Sequence, residues 1–143
     1  MKLVLQRVTR ASVRVDGATI AEIGRGLMIL IGIDRGDGEE AVRRVAERVT
    51  QLRIFEDDAG KMNRSVKDIG GEVLVVPQFT LSADVRKGAR PSFDAAEQPE
   101  RARALIAEFV AAMAASGVPV REGCFGAHMA VELLNDGPVT FVM

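Results

Sequence analysis

The chain has almost none of the side chains that hydrolases and redox enzymes usually recruit. It carries one histidine, one cysteine, and neither tryptophan nor tyrosine. A lone Cys124 cannot close an internal disulfide, and the plain reading is a reduced, cytoplasmic protein. His128 has no second His or Cys close by, so no spacing of metal ligands exists, and neither a metal nor any other cofactor is expected. G-x-S-x-G and Walker-type loops are also missing. No apolar run reaches the ~18 residues needed to span a bilayer, and Leu27–Ile33 is stopped by Asp34 and Arg35. The N-terminus, Met1 to Arg7, alternates like a strand and has no secretory leader pattern. Net charge is −1, from 19 cationic and 20 anionic residues, so no global basic field advertises DNA or RNA. A protein that grips only an RNA end needs few phosphate contacts. The segment Asp84-Val85-Arg86-Lys87-Gly88-Ala89-Arg90, three cations against one anion, is the candidate patch, and as a bare charge run it reads as solvated surface.

What the chain does have is a dense alternation of strand and helix signals without repeats, low-complexity tracts or linkers. Its 143 residues fit one domain spanning 1–143, large enough to bury roughly 68–70 % of its unfolded surface. Residues 12–23 read as a β-hairpin turning at Asp16-Gly17. Gly26–Ile33 and Glu72–Val76 are apolar on both faces, as central buried strands are. Asp37-Gly38-Glu39-Glu40 reads as a capping box with Asp37 at the N-cap, followed by an apolar stripe through Val42, Val45, Ala46 and Val49. Leu52–Glu56 resumes strand alternation and ends at the turn-like Asp57–Gly60. A second helix covers about 99–115, opened by Pro99 and closed by Gly117. Ala127, Met129, Val131 and Leu133 alternate, Asn135-Asp136-Gly137-Pro138 reads as a turn between two strands, and Val139–Met143 forms the last strand. The expected class is α+β, with mixed or antiparallel sheets and two main helices.

Two short segments carry the candidate chemistry. Pro77 interrupts a strand ladder, so the amides of Gln78, Phe79 and Thr80 become free to face a ligand. Two such donors aimed at one oxygen make an oxyanion hole, each worth roughly 3–4 kcal/mol. Thr80 adds a hydroxyl, a weak nucleophile without a base but a useful hydrogen-bonding group. The competing reading is an ordinary strand end, with Phe79 and Leu81 in the core. In the second segment, a cis Gly137–Pro138 bond would turn two carbonyls in one direction and make a pocket wall of backbone. A trans bond would leave a plain turn.

Taken with Leu52–Asp57, Gly60-Lys61-Met62-Asn63, Arg86–Phe93 and Phe125–Met129, these segments resemble the D-aminoacyl-tRNA deacylases in order, from Val4 to nearly the last residue. The resemblance implies a partly barrel-like fold and a homodimer with its sites at the subunit interface. It implies hydrolysis of the ester of D-aminoacyl-tRNA, and of glycyl-tRNA, with the tRNA 3′ end as partner and no membrane or DNA. Gln78, Phe79 and Thr80 are then the catalytic segment, acting mainly through main-chain groups, with Thr80 structural and the substrate's own 2′-OH assisting water. Gly137 and Pro138 would reach into the partner's pocket, Arg7 would brace them, and Met129 and Phe125 would line it. The departure is Pro77, where the family usually has Ser. The loss of a hydroxyl removes at most one hydrogen bond of about 0.5–1.5 kcal/mol. A related tRNA-editing branch tolerates Pro there.

Overall fold

The computed structural model describes residues 1–86 and 88–143. Its organising element is β1 (Lys2–Val15), which pairs with three other strands. Asp16 and Gly17 take φ of 50° and 81°, the left-handed pair that a two-residue hairpin requires. β2 (Ala18–Ile23) therefore folds back along the C-terminal half of β1, as the sequence predicts. β3 (Gly26–Gly32) runs antiparallel to the N-terminal half of β1, and β6 (Glu72–Pro77) lies parallel to β3. Between them come α1 (Glu39–Gln51) and a small ribbon of β4 (Phe55–Glu56) and β5 (Met62–Arg64). After β6 the chain makes a 3₁₀ turn at Phe79–Ser82 and then α2 (Pro99–Ala115). β7 (Val120–Glu122) adds parallel to β6, and β8 (Ala130–Val142) runs antiparallel along β1. The result is an α+β fold, a curled, nearly closed mixed sheet with two helices against one face.

The two apolar strands owe their continuous hydrophobicity to a core on each face. Leu27, Ile29 and Ile31 of β3, with Val73 and Val75 of β6, pack toward Phe109 and Met113 of α2 and Val42 and Val49 of α1. Met28, Leu74 and Val76 point the other way, into an inner core with Val8, Val13 and Ile23. Side chains alternate faces along a strand, so a sheet buried on both sides must be apolar at every position. In β1 the alternation breaks where Arg7 and Val8 are both buried, and there the ladder with β8 slips register.

Three sequence expectations are corrected. Asp37 does not cap α1: the N-cap is Gly38, without a side-chain bond, and the Asp37 carboxylate accepts from the Asp34 amide at 2.8 Å. The strand expected over Leu52–Glu56 shrinks to the pair Phe55–Glu56. Strands β5 and β7 are short and carry too little pattern to announce themselves. The last two expected strands are one, because both halves of β8 follow β1 in the same direction. Asn135–Pro138 is thus no reversing turn.

Candidate functional site

Where β3 and β6 end, the sheet, the 3₁₀ turn and the start of α2 enclose a cleft of about 300 Å³. Ile31, Ile33, Ala102 and Ile106 give it apolar walls, Pro77, Gln78 and Phe79 form one rim, and Phe125 and Gly126 form another. Gly32 is what lets the turn sit so close to β3: a Cβ there would lie 2.8 Å from the Gln78 carbonyl oxygen. The Arg103 guanidinium lies 5.0 Å from the Phe125 ring centroid and covers that rim. Phe79 is 58 % exposed and meets Phe93 edge to face, with ring centroids 5.0 Å apart. The one carboxylate in this lining among the described residues is Glu97. It accepts from the Gln98 amide at 2.8 Å and pairs with Arg101 at 3.3 Å.

The ladder decides which amides are free. Gln78 donates its N–H to the Ile31 carbonyl at 2.7 Å, continuing the parallel pairing one residue past Pro77. The expectation that the Gln78 amide faces a ligand is therefore corrected: it is spent on β3. Phe79 and Thr80 open the 3₁₀ turn, so their amides precede any carbonyl that the turn can offer. They have no acceptor among the described residues. Pro77 loses no ladder bond, because β6 leaves β7 before it, with Gly123 donating to Val75 at 2.8 Å.

The second segment is a bulge inside β8. Gln6 pairs with Thr140 and Val8 with Asn135, so the four residues 136–139 stand opposite Arg7 alone. Such an excess must leave the ladder. The Gly137–Pro138 peptide bond is cis. Arg7, 5 % exposed, donates from Nε to the Asp136 carbonyl at 3.0 Å and from Nη1 to the Ile54 carbonyl at 2.9 Å. Its Nη2 lies 3.7 Å from Glu56. Inside the bulge, Asn135 Oδ1 accepts from the Val139 amide at 2.8 Å. Gly137 has φ +142°, and a Cβ there would lie 2.5 Å from Val139 Cγ2.

These segments do not meet within one chain. Pro77, Ile31 and Leu3 share one row of the sheet, and Val73, Leu27 and Arg7 share another four residues away. Going from β6 to β8 crosses three strand spacings, about 14 Å, while the rows differ by about 13 Å along the strands. The structure thus gathers Pro77, Gln78, Phe79 and Phe125 at the cleft, with Thr80 exposed beside it. It sets Arg7, Gly137 and Pro138 together elsewhere. Met129 is in neither place: its sulfur accepts from the Cys124 amide at 3.3 Å and packs onto the inner core. Sequence reasoning missed Gly32, Ile33, Ala96 and Ala102 in the cleft, since nothing in an apolar strand or helix distinguishes a wall from a core. Of the expected basic patch, Arg86 is closed onto Asp84 at 2.7 Å and 2.9 Å, and its hydrogen bonds hold the Asp84 carboxyl well below the usual range. Lys87 lies outside the described residues.

A family profile described as D-Tyr-tRNA(Tyr) deacylase matches residues 4–143. The chain belongs to this family. Curated relatives named D-aminoacyl-tRNA deacylase include one from Deinococcus radiodurans, 56 % identical over 100 % of this chain and 99 % of its own. Another, from Paracoccus denitrificans, is 57 % identical over 100 % of this chain and 96 % of its own. A solved structure described as a c-Myc DNA Unwinding Element Binding Protein is 42 % identical, with a TM-score of 0.94 over 100 % of this chain and 97 % of that one. A probable eukaryotic D-amino acid tRNA deacylase, 22 % identical with a TM-score of 0.84 over 99 % and 97 %, shares the fold. Among the described residues, no group of three or more His, Cys, Asp or Glu is placed to hold a metal, and no helix is long and apolar enough to cross a membrane.

Proposed function

We propose that this deacylase hydrolyses the ester of D-aminoacyl-tRNA in a site completed by two copies of the chain. The observation that carries the reading is the pair of amides, Phe79 at the rim of the cleft and Thr80 beside it, left without acceptors among the described residues. Set at the ester carbonyl, they stabilise the charge that develops as water attacks, each worth roughly 3–4 kcal/mol. The neighbouring 2′-OH of the terminal ribose assists that water. Thr80 acts through its amide, since among the described residues no base is hydrogen-bonded to its hydroxyl to activate it.

The second copy is called for by the distance between the two segments and by the free edge of β8. That strand pairs with β1 on one side only, and Leu134, Phe141, Val142 and Met143 are 53, 38, 77 and 40 % exposed. A long apolar edge of this kind invites another strand or face. In a two-fold dimer the bulge of one protomer, with Gly137 and Pro138 held by Arg7, enters the cleft of its partner. Backbone there admits the α-hydrogen of a D-aminoacyl group and collides with an L side chain. Glycyl-tRNA, with no side chain to exclude, is cut as well. Pro77 supplies no side-chain chemistry. The reaction belongs to translation quality control in the cytoplasm.

The test is release of labelled amino acid from D-Tyr-tRNA, Gly-tRNA and L-Tyr-tRNA, with chelator present throughout. Rapid release from the first two and not the third supports the reading. Tight binding of D-Tyr-tRNA without release would make the protein an RNA-end-binding module instead. The solved relative described as binding a DNA element motivates a second reading, and excess duplex DNA should leave deacylation unchanged if DNA is no partner.

A further inference from the structure

A cavity of about 590 Å³ opens at the opposite end of the protomer, lined by Arg48, Arg53 and Lys67. Among the described residues none of these three cations makes a hydrogen bond or a close ion pair, although the Arg53 charge lies near enough to Asp68 to favour its ionised form. The one anion in the lining among the described residues, Asp68, is already engaged: its carboxylate accepts from both the amide and the hydroxyl of Ser65 at 2.8 Å. Those bonds hold its carboxyl below the usual value. The hydroxyls of Thr50 and Ser116 donate inward, to the Glu47 and Ala112 carbonyls. Three positive charges therefore face one negative charge whose hydrogen bonds are already taken by Ser65. This differs from the Asp84–Arg90 loop, where Arg86 is neutralised by Asp84.

The place of the cavity matters as much as its charge. Pro99, at one end of α2, lines the cleft, and Ser116, just past its other end, lines the cavity. A helix of 17 residues puts about 25 Å between them. The bulge is much closer. Arg53 precedes Ile54, whose carbonyl shares the Arg7 guanidinium with the carbonyl of Asp136. The cavity thus travels with Gly137 and Pro138, at the end of the protomer assigned above to the partner's site.

We propose that Arg48, Arg53 and Lys67 bind backbone phosphates of the tRNA acceptor arm whose aminoacyl end occupies the partner's cleft. The inference rests on the two-copy reading of the site. It gives a chain of net charge −1 a local RNA grip that composition conceals, and it makes one protomer supply both the bulge and the phosphate contacts for the other's cleft. Each neutralised phosphate adds roughly 0.7–0.9 to the slope of affinity against salt on logarithmic axes.

The test compares the wild-type dimer with R48A/R53A/K67A on two substrates, D-Tyr-tRNA and the minimal ester D-tyrosyl-adenosine, from 50 to 300 mM salt. The triple variant should lose about tenfold or more in kcat/KM on the tRNA through KM, with a salt slope smaller by roughly two. On the minimal ester, and in its melting temperature, it should match the wild type. Equal loss on both substrates would mean structural damage, and no loss on tRNA would mean no phosphate contact; either result overturns the proposal. Wild-type protein that cleaves neither substrate would instead overturn the function proposed above.

Discussion

The two segments that carry the candidate chemistry are built in opposite ways. The Pro77–Thr80 turn is anchored from within: a parallel ladder between buried strands runs into it, Gln78 is bonded to Ile31 at 2.7 Å, and Gly32 lets the turn close against β3. The Asp136–Val139 bulge is anchored from below, by one buried arginine and one asparagine, on a strand whose other edge is free. The first is rigid because the core is. The second depends on Arg7 and Asn135, so under the two-copy proposal side chains outside the cleft bear on function.

That contrast orders the expected effects. Gly137→Ala should be the most damaging to activity, because its Cβ meets Val139 at a φ that an L side chain rarely adopts. A displaced bulge should cost about 100-fold or more in kcat/KM. Arg7→Ala removes donors from two carbonyls and leaves a buried gap, worth about 2–3 kcal/mol, so the melting temperature should fall by roughly 5–10 °C along with activity. Gly32→Ala should cost about 50-fold in kcat by pushing Gln78 and the turn outward, with melting affected less than in Arg7→Ala. Thr80→Ala keeps the amide and should stay within about tenfold of the wild type. A loss of several orders of magnitude, with the fold intact by circular dichroism, would make Thr80 the nucleophile.

Acid should separate the two regions least. Hydrogen bonds from the Arg86 side chain hold Asp84 low near the turn, and the Asn63 side chain does so for Asp57 near the anchor of the bulge. A carboxyl depressed in the folded state stabilises it fully above the unfolded value near 4, and that contribution is lost as pH falls through the folded value. Melting temperature should hold from pH 8 to about pH 5 and fall below about pH 4.

Much of this architecture was legible in the residues. Asp16-Gly17, the all-apolar strands, and the Pro99 and Gly117 helix ends each state a local rule that the fold obeys. Asn135–Pro138 misled because turn residues mark a departure from the ladder without saying whether the chain reverses; the partner strand decides that, and β1 lies far away in sequence. Gln78 misled for a similar reason. The pairing with β7 ends before Pro77 while the pairing with β3 runs past it, and a sequence does not say which neighbour a strand loses. The cationic cavity was invisible because Arg48, Arg53 and Lys67 come from a helix end, an extended segment and a loop.

Subunit mixing tests the two-copy site most directly. Gly137→Ala spoils a bulge and spares a cleft, while Gly32→Ala spoils a cleft and spares a bulge. If each cleft is completed by the partner's bulge, mixed dimers hold one fully native site, and equal mixing should restore about a quarter of wild-type deacylation. If each cleft uses its own chain alone, no mixed dimer contains a native site and the mixture stays as inactive as its parents.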